Sequence, residues 1–258
     1  MYNISMTSCI FTNVDNVSIL LLDHPSSNTF KNRDNHEVLF RKINTFLIKN
    51  NIIKNNIIDL GAWIGDNSIP WAKNINGIVY AIDPSQDNCN FITQTCEINQ
   101  IKNVKVIQTA VSDKNELLST NDDINHCSFV YGGCGKNGRT KINAVSLDYL
   151  NDIKCIENIG YIHLDVEGME YNIIVGSTNL IDKYRPIISF EQHLDMDDYS
   201  IILSFLTNKQ YKVFLIDEIL PGCRYDCRNS LGFPIEIYNE DIVKNISVLI
   251  GKNILIPK

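Results

Sequence analysis

Short runs of β-branched and aromatic residues alternate with stretches of helical periodicity, and this alternation constrains the fold more than any other feature of the chain. The runs are brief and mostly β-branched, which is typical of strands buried on both faces. They fall at 57–60, 78–82, 104–107, 161–164 and 187–190, and helical stretches lie at about 67–75, 86–99, 168–177 and 196–208. The alternation predicts an α/β fold with a mostly parallel sheet and right-handed crossovers.

The amino-terminal part predicts an addition to this sheet. Residues 1–33 are expected to form a strand-and-turn extension, with a strand at 19–22 and a turn at 24–28. Apolar residues at helical spacing predict a helix over 34–49, begun by an Asp or Asn cap. We therefore expect one main domain over 34–258, preceded by the extension.

Two later segments interrupt the alternation. Residues 113–142 are glycine-rich and polar, and they predict a surface insertion, in the form of a hairpin, over the carboxyl edge of the sheet. The tail predicts strands at 211–217 and near 233–238, antiparallel at the edge of the sheet.

Composition and charge exclude several classes of protein. The chain has 258 residues, of which 44% are hydrophobic and 21% charged, and this balance suits one packed globular domain. Its net charge of -7 opposes binding to a phosphate backbone, so no nucleic-acid partner is expected. No apolar run approaches the length of a membrane helix, and residues 1–11 lack the pattern of a secretory signal. We expect a cytoplasmic protein.

The cysteines predict free thiols and no metal centre. The 8 Cys are scattered through the chain, as in proteins of a reducing compartment. The nearest approach to a metal pattern pairs Cys127 and Cys134 with Cys223 and Cys227, and neither spacing is the C-x-x-C of a structural zinc site.

The segment D-L-G-A-W-I-G at 59–65 indicates a ligand-binding turn between a strand and a helix. Gly61 and Gly65 would let the backbone approach a ligand closely. Trp63 stands where the nicotinamide fingerprint has its middle glycine, so pyrophosphate would fit badly. Asp59 could accept from an ammonium group while Gly61 and Ala62 present backbone atoms. These features favour a ligand with an amino-acid end.

Asp83 ends the second strand, where a carboxylate can bind both hydroxyls of a ribose. The end of the third strand, with Ala110 and Asp113, would lie at the edge of an adenine. An ammonium group, a ribose and a base in this order describe S-adenosylmethionine. The simpler alternative is that Asp59 and Asp83 only cap helices and that the glycines serve a tight turn.

Beside three later segments, D-L-G-A-W-I-G resembles the FkbM family of S-adenosylmethionine-dependent methyltransferases. The later segments are V-S-L-D-Y-L at 145–150, Y-I-H-L-D-V-E-G-M-E at 161–170 and R-P-I-I-S-F-E at 185–191. The resemblance covers roughly residues 35–240. It implies a Rossmann-like class I methyltransferase fold, with a mostly parallel seven-stranded sheet and helices on both faces. It also implies O-methylation of a hydroxyl on a sugar, glycoconjugate or similar small molecule.

The chain departs from the family pattern at three positions. Trp63 stands where Asn is usual, and Ser146 replaces the Thr of the T-L-D segment. His163 replaces a Lys, and a group whose pKa is near neutrality would hold charge differently from a lysine. Trp63 and His163 support the competing hypothesis of a catalytically silent scaffold or binding protein.

Methyl transfer is an in-line displacement that needs an aligned acceptor and removal of a proton. We expect Asp165 to act as general base or orienting group, with His163 and Glu191 also in catalytic roles. His163 could instead pack under the sheet with one satisfied nitrogen. Further predicted substrate contacts are Glu167, His193, Arg224 and Arg228, with surface pairing to Asp226 as the alternative for the arginines.

Asp165 together with Glu191 and Gln192 also offers oxygen ligands suited to Mg²⁺. We favour the metal-free interpretation, in which these groups bind acceptor hydroxyls unaided. Phe129 and Tyr131 in the insertion would offer aromatic faces to a sugar.

Overall fold

The computed structural model describes residues 8–120, 140–195, 197–250 and 255–257. In chain order its strands are β1 (Ser8–Thr12), β2 (Ser18–Leu22), β3 (Asn56–Leu60), β4 (Val79–Asp83), β5 (Val104–Gln108), β6 (Ala110–Val111), β7 (Glu116–Thr120), β8 (Thr140–Val145), β9 (Ile159–Leu164), β10 (Ile187–His193), β11 (Tyr211–Ile216), β12 (Cys227–Pro234) and β13 (Leu255–Pro257). The helices are α1 (Pro25–Asn32), α2 (Val38–Lys49), α3 (Ser68–Ala72), α4 (Gln86–Ile98), α5 (Leu147–Asp152), α6 (Glu170–Val175), α7 (Thr178–Tyr184), α8 (Asp197–Asn208) and α9 (Glu240–Ile250).

The predicted mostly parallel sheet is confirmed. In the described part of the chain its order is β13-β11-β12-β10-β9-β3-β4-β5. The five strands from β5 to β10 in this order pair in parallel, and β12 runs antiparallel to both β10 and β11. Seven of these strands make the predicted sheet, and the short strand β13 extends its edge. The chain order of the strands runs outward in opposite directions from the neighbours β3 and β9. Open α/β sheets bind their ligands at such a position.

Alternate residues of the buried strands face two apolar layers. Ile58 and Leu60 of β3 pack with α5, α6, α7 and α8 on one face of the sheet. Ile57 and its neighbour Tyr161 pack with α2, α3 and α9 on the other. Each such buried side chain stabilises the fold by about 1.5–3 kcal/mol through removal of apolar surface from water. These layers fix the carboxyl ends of the central strands.

The predicted turn at 24–28 is wrong, because α1 begins there. The imidazole of His24 accepts the backbone N–H of Ser26 at 3.2 Å, and Pro25 occupies the first helical position. The helix predicted from residue 34 begins only at Val38, after Glu37 in the left-handed region at φ 54°. A distant carboxylate, that of Glu218, accepts the first N–H groups of this helix.

A small second sheet lies in the region of the predicted insertion. Strands β7 and β8 pair antiparallel, and β6 pairs in parallel with β8. Residues 121–139, which include Phe129, Tyr131, Cys127 and Cys134, lie outside the described residues. The tail strand expected near 233–238 is instead β12, which ends at Pro234. A turn follows, in which the N–H groups of Ile237 and Tyr238 donate to the carbonyl of Pro234.

The amino-terminal hairpin packs beside the predicted ligand-binding turn. Ile19 and Leu21 of β2 share an apolar cluster with Ala62 and Ile64 of that turn and with α4. None of the described helices has the length and apolar character that a membrane crossing requires.

Candidate active site

The turn after β3 and the turn after β9 touch through their backbones at the point where the sheet order reverses. The N–H of Asp165 donates to the carbonyl of Leu60 at 3.1 Å. Gly61 has φ +74°, and a Cβ atom there would lie 1.9 Å from the carbonyl oxygen of Asp165. The absence of a side chain at Gly61 therefore serves this close backbone contact, whereas the sequence suggested close approach of a ligand.

The end of β4 holds the glycine turn in place. The N–H groups of Gly61 and Ala62 donate to the carbonyl of Ile82. The N–H of Gly65 donates to the carbonyl of Ala62 at 2.7 Å, which closes the turn. Trp63, at φ 45°, donates its N–H to Asp83 Oδ2 at 2.9 Å. The turn is thus a fixed surface rather than a loose loop, despite the tryptophan.

Asp83 is buried at the end of β4 and has three partners in the protein. Besides Trp63, the N–H of Ser85 and the side-chain amide of Asn88 donate to Oδ1 at 2.8 and 3.0 Å. Burial raises the pKa of Asp83 to about 6, although these three donors favour the ionised form. In register beside Asp83 on β5 lies Gln108, whose exposed amide is close to the carbonyl of Pro84.

Of the residues predicted to meet an adenine, Ala110 is buried in β6 and Asp113 is exposed beyond it. The backbone of Asp113 lies against Gly176, at the far end of α6 from Glu170. The described contacts do not bring Asp113 together with Asp83.

Asp59 and His163 form a buried pair across β3 and β9. His163 Nδ1 lies 2.8 Å from Asp59 Oδ1, and the hydroxyl of Ser68 donates to the other carboxylate oxygen. The imidazole packs between Phe40 and Trp71, with ring centroids 5.1 and 5.4 Å away. Burial opposes protonation of His163, but the hydrogen bond and charge of Asp59 outweigh it and raise the pKa.

The Asp59–His163 pair is buried in the interior of the protein. Both oxygens of Asp59 have protein partners, and His163 is only 1% exposed. Among the described residues, Nε2 of His163 has no hydrogen-bond partner. The arrangement fits the alternative in which His163 packs under the sheet with one satisfied nitrogen.

An arginine from the amino-terminal segment borders the glycine turn. The guanidinium of Arg33 lies 5.7 Å from the centroid of the Trp63 ring. It donates to Glu37 Oε2 at 2.7 Å and to Asp66 Oδ2 at 3.3 Å, and Arg41 also donates to Asp66, at 2.6 Å. This ion-pair network joins the start of α2 to the end of the turn.

Asp165 is partly buried directly after β9. Burial, together with the charge of Glu37, raises the pKa of Asp165 to about 6, while His163 opposes the change. A carboxylate of this kind is ionised at neutral pH and is a stronger base than an ordinary aspartate, as general-base catalysis requires.

Glu170 fixes the turn that follows Asp165. Its carboxylate accepts the N–H groups of Val166 and Gly168 at 3.1 and 3.0 Å, and the amide of Gln192 at 2.8 Å. Burial raises the pKa of Glu170 to about 8. Within the same turn, Glu167 is exposed and adopts φ 54°. The amide nitrogen of Gln192 is thus engaged by Glu170.

Glu191, near the end of β10, lies beside two cysteines. The thiol of Cys227 is 2.9 Å from Glu191 Oε1, and the ligand atoms of Glu191, Cys223 and Cys227 all lie within 4.8 Å of one another. Burial and the charge of Asp165 raise the pKa of Glu191 to about 10, so this carboxyl is protonated at neutral pH.

The remaining predicted substrate contacts have partners within the loop before β12. His193 Nδ1 lies 3.3 Å from Asp226 Oδ1, and Arg224 donates to the same oxygen at 2.8 Å. Arg228 donates to the backbone carbonyls of Tyr225 and Cys227 at 2.8 and 2.7 Å. The pairing of Arg224 with Asp226 is the alternative that the sequence left open.

Sequence reasoning missed several contacts that the fold makes at this edge: those of Arg33, of Gln108 and of the pair of Glu191 with Cys227. Glu170 ends the E-G-M-E segment that the resemblance singled out, and it is buried rather than a solvated first-turn acid. The other contacts join residues far apart in the chain, so no local pattern reports them.

A sequence profile of the methyltransferase FkbM domain matches residues 59–213. No curated protein matches the chain.

Solved structures share its fold. The FkbM methyltransferase from Methylobacillus flagellatus KT is 14% identical with a TM-score of 0.52, and the match covers 69% of this chain and 43% of that one. Cofactor-bound Rv0187 from MTB is 9% identical with a TM-score of 0.50, covering 75% and 78%. An rRNA methylase from Streptococcus thermophilus is 10% identical with a TM-score of 0.47, covering 76% and 94%. The predicted Rossmann-like class I methyltransferase fold is confirmed, and the chain spans less than half the length of the first of these structures.

Proposed function

The chain belongs to the FkbM methyltransferase family, and we propose that it transfers the methyl group of S-adenosylmethionine to a hydroxyl of a sugar, glycoconjugate or similar small molecule. One observation carries this proposal. The glycine turn, Asp83 and Asp165 converge at the carboxyl edge of the sheet where its order reverses. The bound cofactor supplies an electrophilic methyl group, and the chain must bind the cofactor, orient the acceptor and remove a proton.

The nucleoside end of the cofactor fits the surroundings of Asp83. A carboxylate offers about four lone-pair positions, and protein N–H groups occupy three at Asp83, which leaves one for a ribose hydroxyl. The exposed amide of Gln108, in register beside Asp83, can pair with a base edge. Ala110 would line the same side, and we leave Asp113 out of the cofactor site.

The amino-acid end of the cofactor would lie against the glycine turn. Arg33 borders this turn at Trp63, and a guanidinium has five N–H donors, more than its described partners use. We assign Arg33 to the cofactor carboxylate. Asp59 is better suited to holding Ser68 at the start of α3 than to a direct ammonium contact, because both its oxygens are engaged.

The turn backbone at Gly61, Ala62 and Gly65 would then form the cofactor surface. Its position is set by the hydrogen bonds to Ile82 and by the contact with Asp165. Pre-formed backbone surfaces of this kind bind without a large ordering cost.

Asp165 is assigned as the general base that takes the proton of the acceptor hydroxyl. Its raised pKa matches that task, and Glu170 fixes the turn beside it. His163 is a positioning residue, since its buried ring reaches Asp59 and no acceptor. Glu191 lies on the acceptor side, with Glu167, His193, Arg224 and Arg228 around it as candidate acceptor contacts.

A direct binding experiment tests the cofactor half of the proposal. Purified, folded chain is titrated calorimetrically with S-adenosylmethionine and S-adenosylhomocysteine, and we expect saturable binding of both. Absence of binding to either would remove the enzyme hypothesis.

A labelling experiment tests the acceptor. The chain is incubated with methyl-labelled S-adenosylmethionine and fractionated lysate from its source, with Asp165→Asn as the matched variant. We expect label in a small polar or glycan fraction with wild type only. Label removed by nuclease would exclude the sugar acceptor and restore a nucleic-acid substrate. Cofactor binding without any transfer, and with a stoichiometric protein partner, would favour the scaffold.

A further inference from the structure

The acceptor side of the site contains two thiols and a carboxylate in one cluster, formed by Glu191, Cys223 and Cys227. Each residue offers one ligand atom, and these atoms all lie within 4.8 Å of one another. One separation is 2.9 Å, between Cys227 Sγ and Glu191 Oε1. We propose that this cluster binds a zinc ion, although the sequence predicted no metal.

The fold explains how residues so distant in the chain meet. Strands β10 and β12 pair antiparallel with Cys227 opposite His193, two residues from Glu191. Side chains two residues apart on a strand point to the same face, so Cys227 and Glu191 are diagonal neighbours. Two turns, closed by Cys223 N–H to Leu220 and Cys227 N–H to Arg224, fold Cys223 back over them.

The separations suit a tetrahedral zinc site. Zinc bonds of about 2.3 Å to sulfur and 2.0–2.2 Å to oxygen place neighbouring ligand atoms roughly 3.5–3.8 Å apart. The cluster spans separations from 2.9 Å to at most 4.8 Å, so small rotations of the side chains bring all three to this spacing. Cys223 lies on an exposed loop, which can adjust at little cost.

The ligand chemistry selects zinc over magnesium or calcium. Two soft thiolates favour zinc, whereas the hard ions take sets made of oxygen alone. His36 lies near this loop, since its Nε2 donates to the carbonyl of Pro221, two residues before Cys223.

The cluster has three ligands, and in the described part of the chain no fourth His, Cys, Asp or Glu joins it. Three protein ligands with an open position are typical of catalytic zinc sites, in which the metal lowers the pKa of a bound hydroxyl. Because the cluster neighbours Asp165, we infer that the open position receives the acceptor hydroxyl. This role rests on the proposed function, whereas zinc binding does not.

Metal titration of the full chain tests the site directly. The chain is reduced, stripped with a chelator and titrated with Co²⁺, which reports thiolate ligands through a charge-transfer band in the near ultraviolet. We expect one Co²⁺ per chain, displaced by Zn²⁺. Cys223→Ser should weaken Zn²⁺ binding at least about a hundredfold, because one of three ligand bonds is lost. Glu191→Gln should keep the band while weakening affinity.

The control is Cys9→Ser, an exposed cysteine on β1, which should leave binding unchanged. Cys227 is buried, so Cys223→Ser carries the test if Cys227→Ser fails to fold. As a second measurement, Zn²⁺ should protect Cys223 and Cys227 from alkylation, read by mass spectrometry. The proposal is overturned if reduced, folded chain gives no charge-transfer band, if the band survives in the double Cys223→Ser/Cys227→Ser variant, or if Zn²⁺ protects neither cysteine. None of these readouts depends on methyl transfer, so they can fail or succeed separately from the proposed function.

Discussion

Replacement of Asp83 separates a structural role of its carboxylate from a role in cofactor binding. The carboxylate accepts the backbone N–H groups of Trp63 and Ser85 and the side-chain amide of Asn88. Asp83→Ala removes all three bonds. Asp83→Asn keeps one oxygen for Ser85 and Asn88 and turns an amide N–H₂ toward the N–H of Trp63.

The expected loss of stability follows from the groups left without partners. A buried donor without an acceptor costs about 1–3 kcal/mol. Asp83→Ala leaves two backbone donors, so we expect the free energy of unfolding to fall by roughly 2–6 kcal/mol, a large part of the 5–15 kcal/mol typical of a domain. Asp83→Asn leaves only the Trp63 donor and should lose about half as much. Chemical denaturation of the cofactor-free chain measures both.

The expected loss of affinity follows from the single position left for a ribose hydroxyl. A hydrogen bond to a charged group contributes about 1.5–3 kcal/mol, so Asp83→Asn should raise Kd roughly 10- to 150-fold. Since the pKa of Asp83 is raised to about 6, wild-type affinity should also fall as pH drops from 7 to 5. At pH 5 only about a tenth of the carboxylate would be ionised, which gives an affinity loss of roughly tenfold.

The same raised pKa predicts the opposite slope for stability. The folded state binds a proton more tightly at Asp83 than the unfolded state does. Stability from this group is therefore present below the unfolded pKa and is lost as pH rises through about 6. In wild type, cofactor affinity should rise over this range while the contribution of Asp83 to stability falls, and Asp83→Asn should remove both slopes.

Calorimetry with S-adenosylhomocysteine at pH 5 to 8, on samples shown to be folded, gives the affinities. Asp113→Asn serves as the matched control, because this exposed aspartate lies beside the end of α6 and should leave Kd unchanged. An unchanged Kd in Asp83→Asn, alongside the expected loss of stability, would refute the ribose contact and leave Asp83 as a purely structural brace.

Three further predictions concern the residues around Asp83. Asp165→Asn should lower turnover about 10²- to 10⁴-fold with nearly unchanged cofactor affinity, as expected for loss of a general base; the exposed Asp113→Asn should not, and equal effects would count against this assignment. Gly61→Ala, which would place a methyl group 1.9 Å from the Asp165 carbonyl, should prevent stable folding, whereas Gly222→Ala, with φ +85° and open space around it, should cost about 1 kcal/mol in thermal denaturation. His163→Lys should keep the ion pair with Asp59 between pH 6 and 9, and so abolish the loss of stability that wild type shows as pH rises through the raised pKa of His163; similar slopes of unfolding free energy against pH in both proteins would contradict a charged pair.

The fold was largely predictable because its central strands are buried on both faces. Such strands are mostly apolar, and 57–60, 161–164 and 187–190, each with one polar residue, were recognisable for that reason. The start of α2 was not predictable. Its first N–H groups are capped by Glu218, about 180 residues further along the chain, and the preceding Glu37 takes a left-handed conformation. A capping partner from another element leaves no local signal in the sequence.

The candidate site divides in the same way. The sequence pointed to Asp83 and Asp165 because each directly follows a buried strand, and parallel strands end at one edge. It could not show that Asp59 is occupied by Ser68 and His163, because the direction of a side chain at a strand end depends on what packs against it.

The amino-terminal segment illustrates why a site of this kind has to be determined in three dimensions. Judged by sequence, residues 1–33 lie outside the main domain, yet Arg33 at the end of that segment reaches Trp63, Glu37 and Asp66. Among the described residues, removing Arg33 would leave Asp66 with Arg41, and Glu37 with Arg41 and His36, each 3.8 Å away. An uncompensated buried charge costs several kcal/mol. The ion pairs of Arg33 with Glu37 and Asp66 therefore stabilise the attachment of the amino-terminal extension to the glycine turn. The proposed cofactor surface therefore depends on a segment that the family profile, which begins at residue 59, does not include.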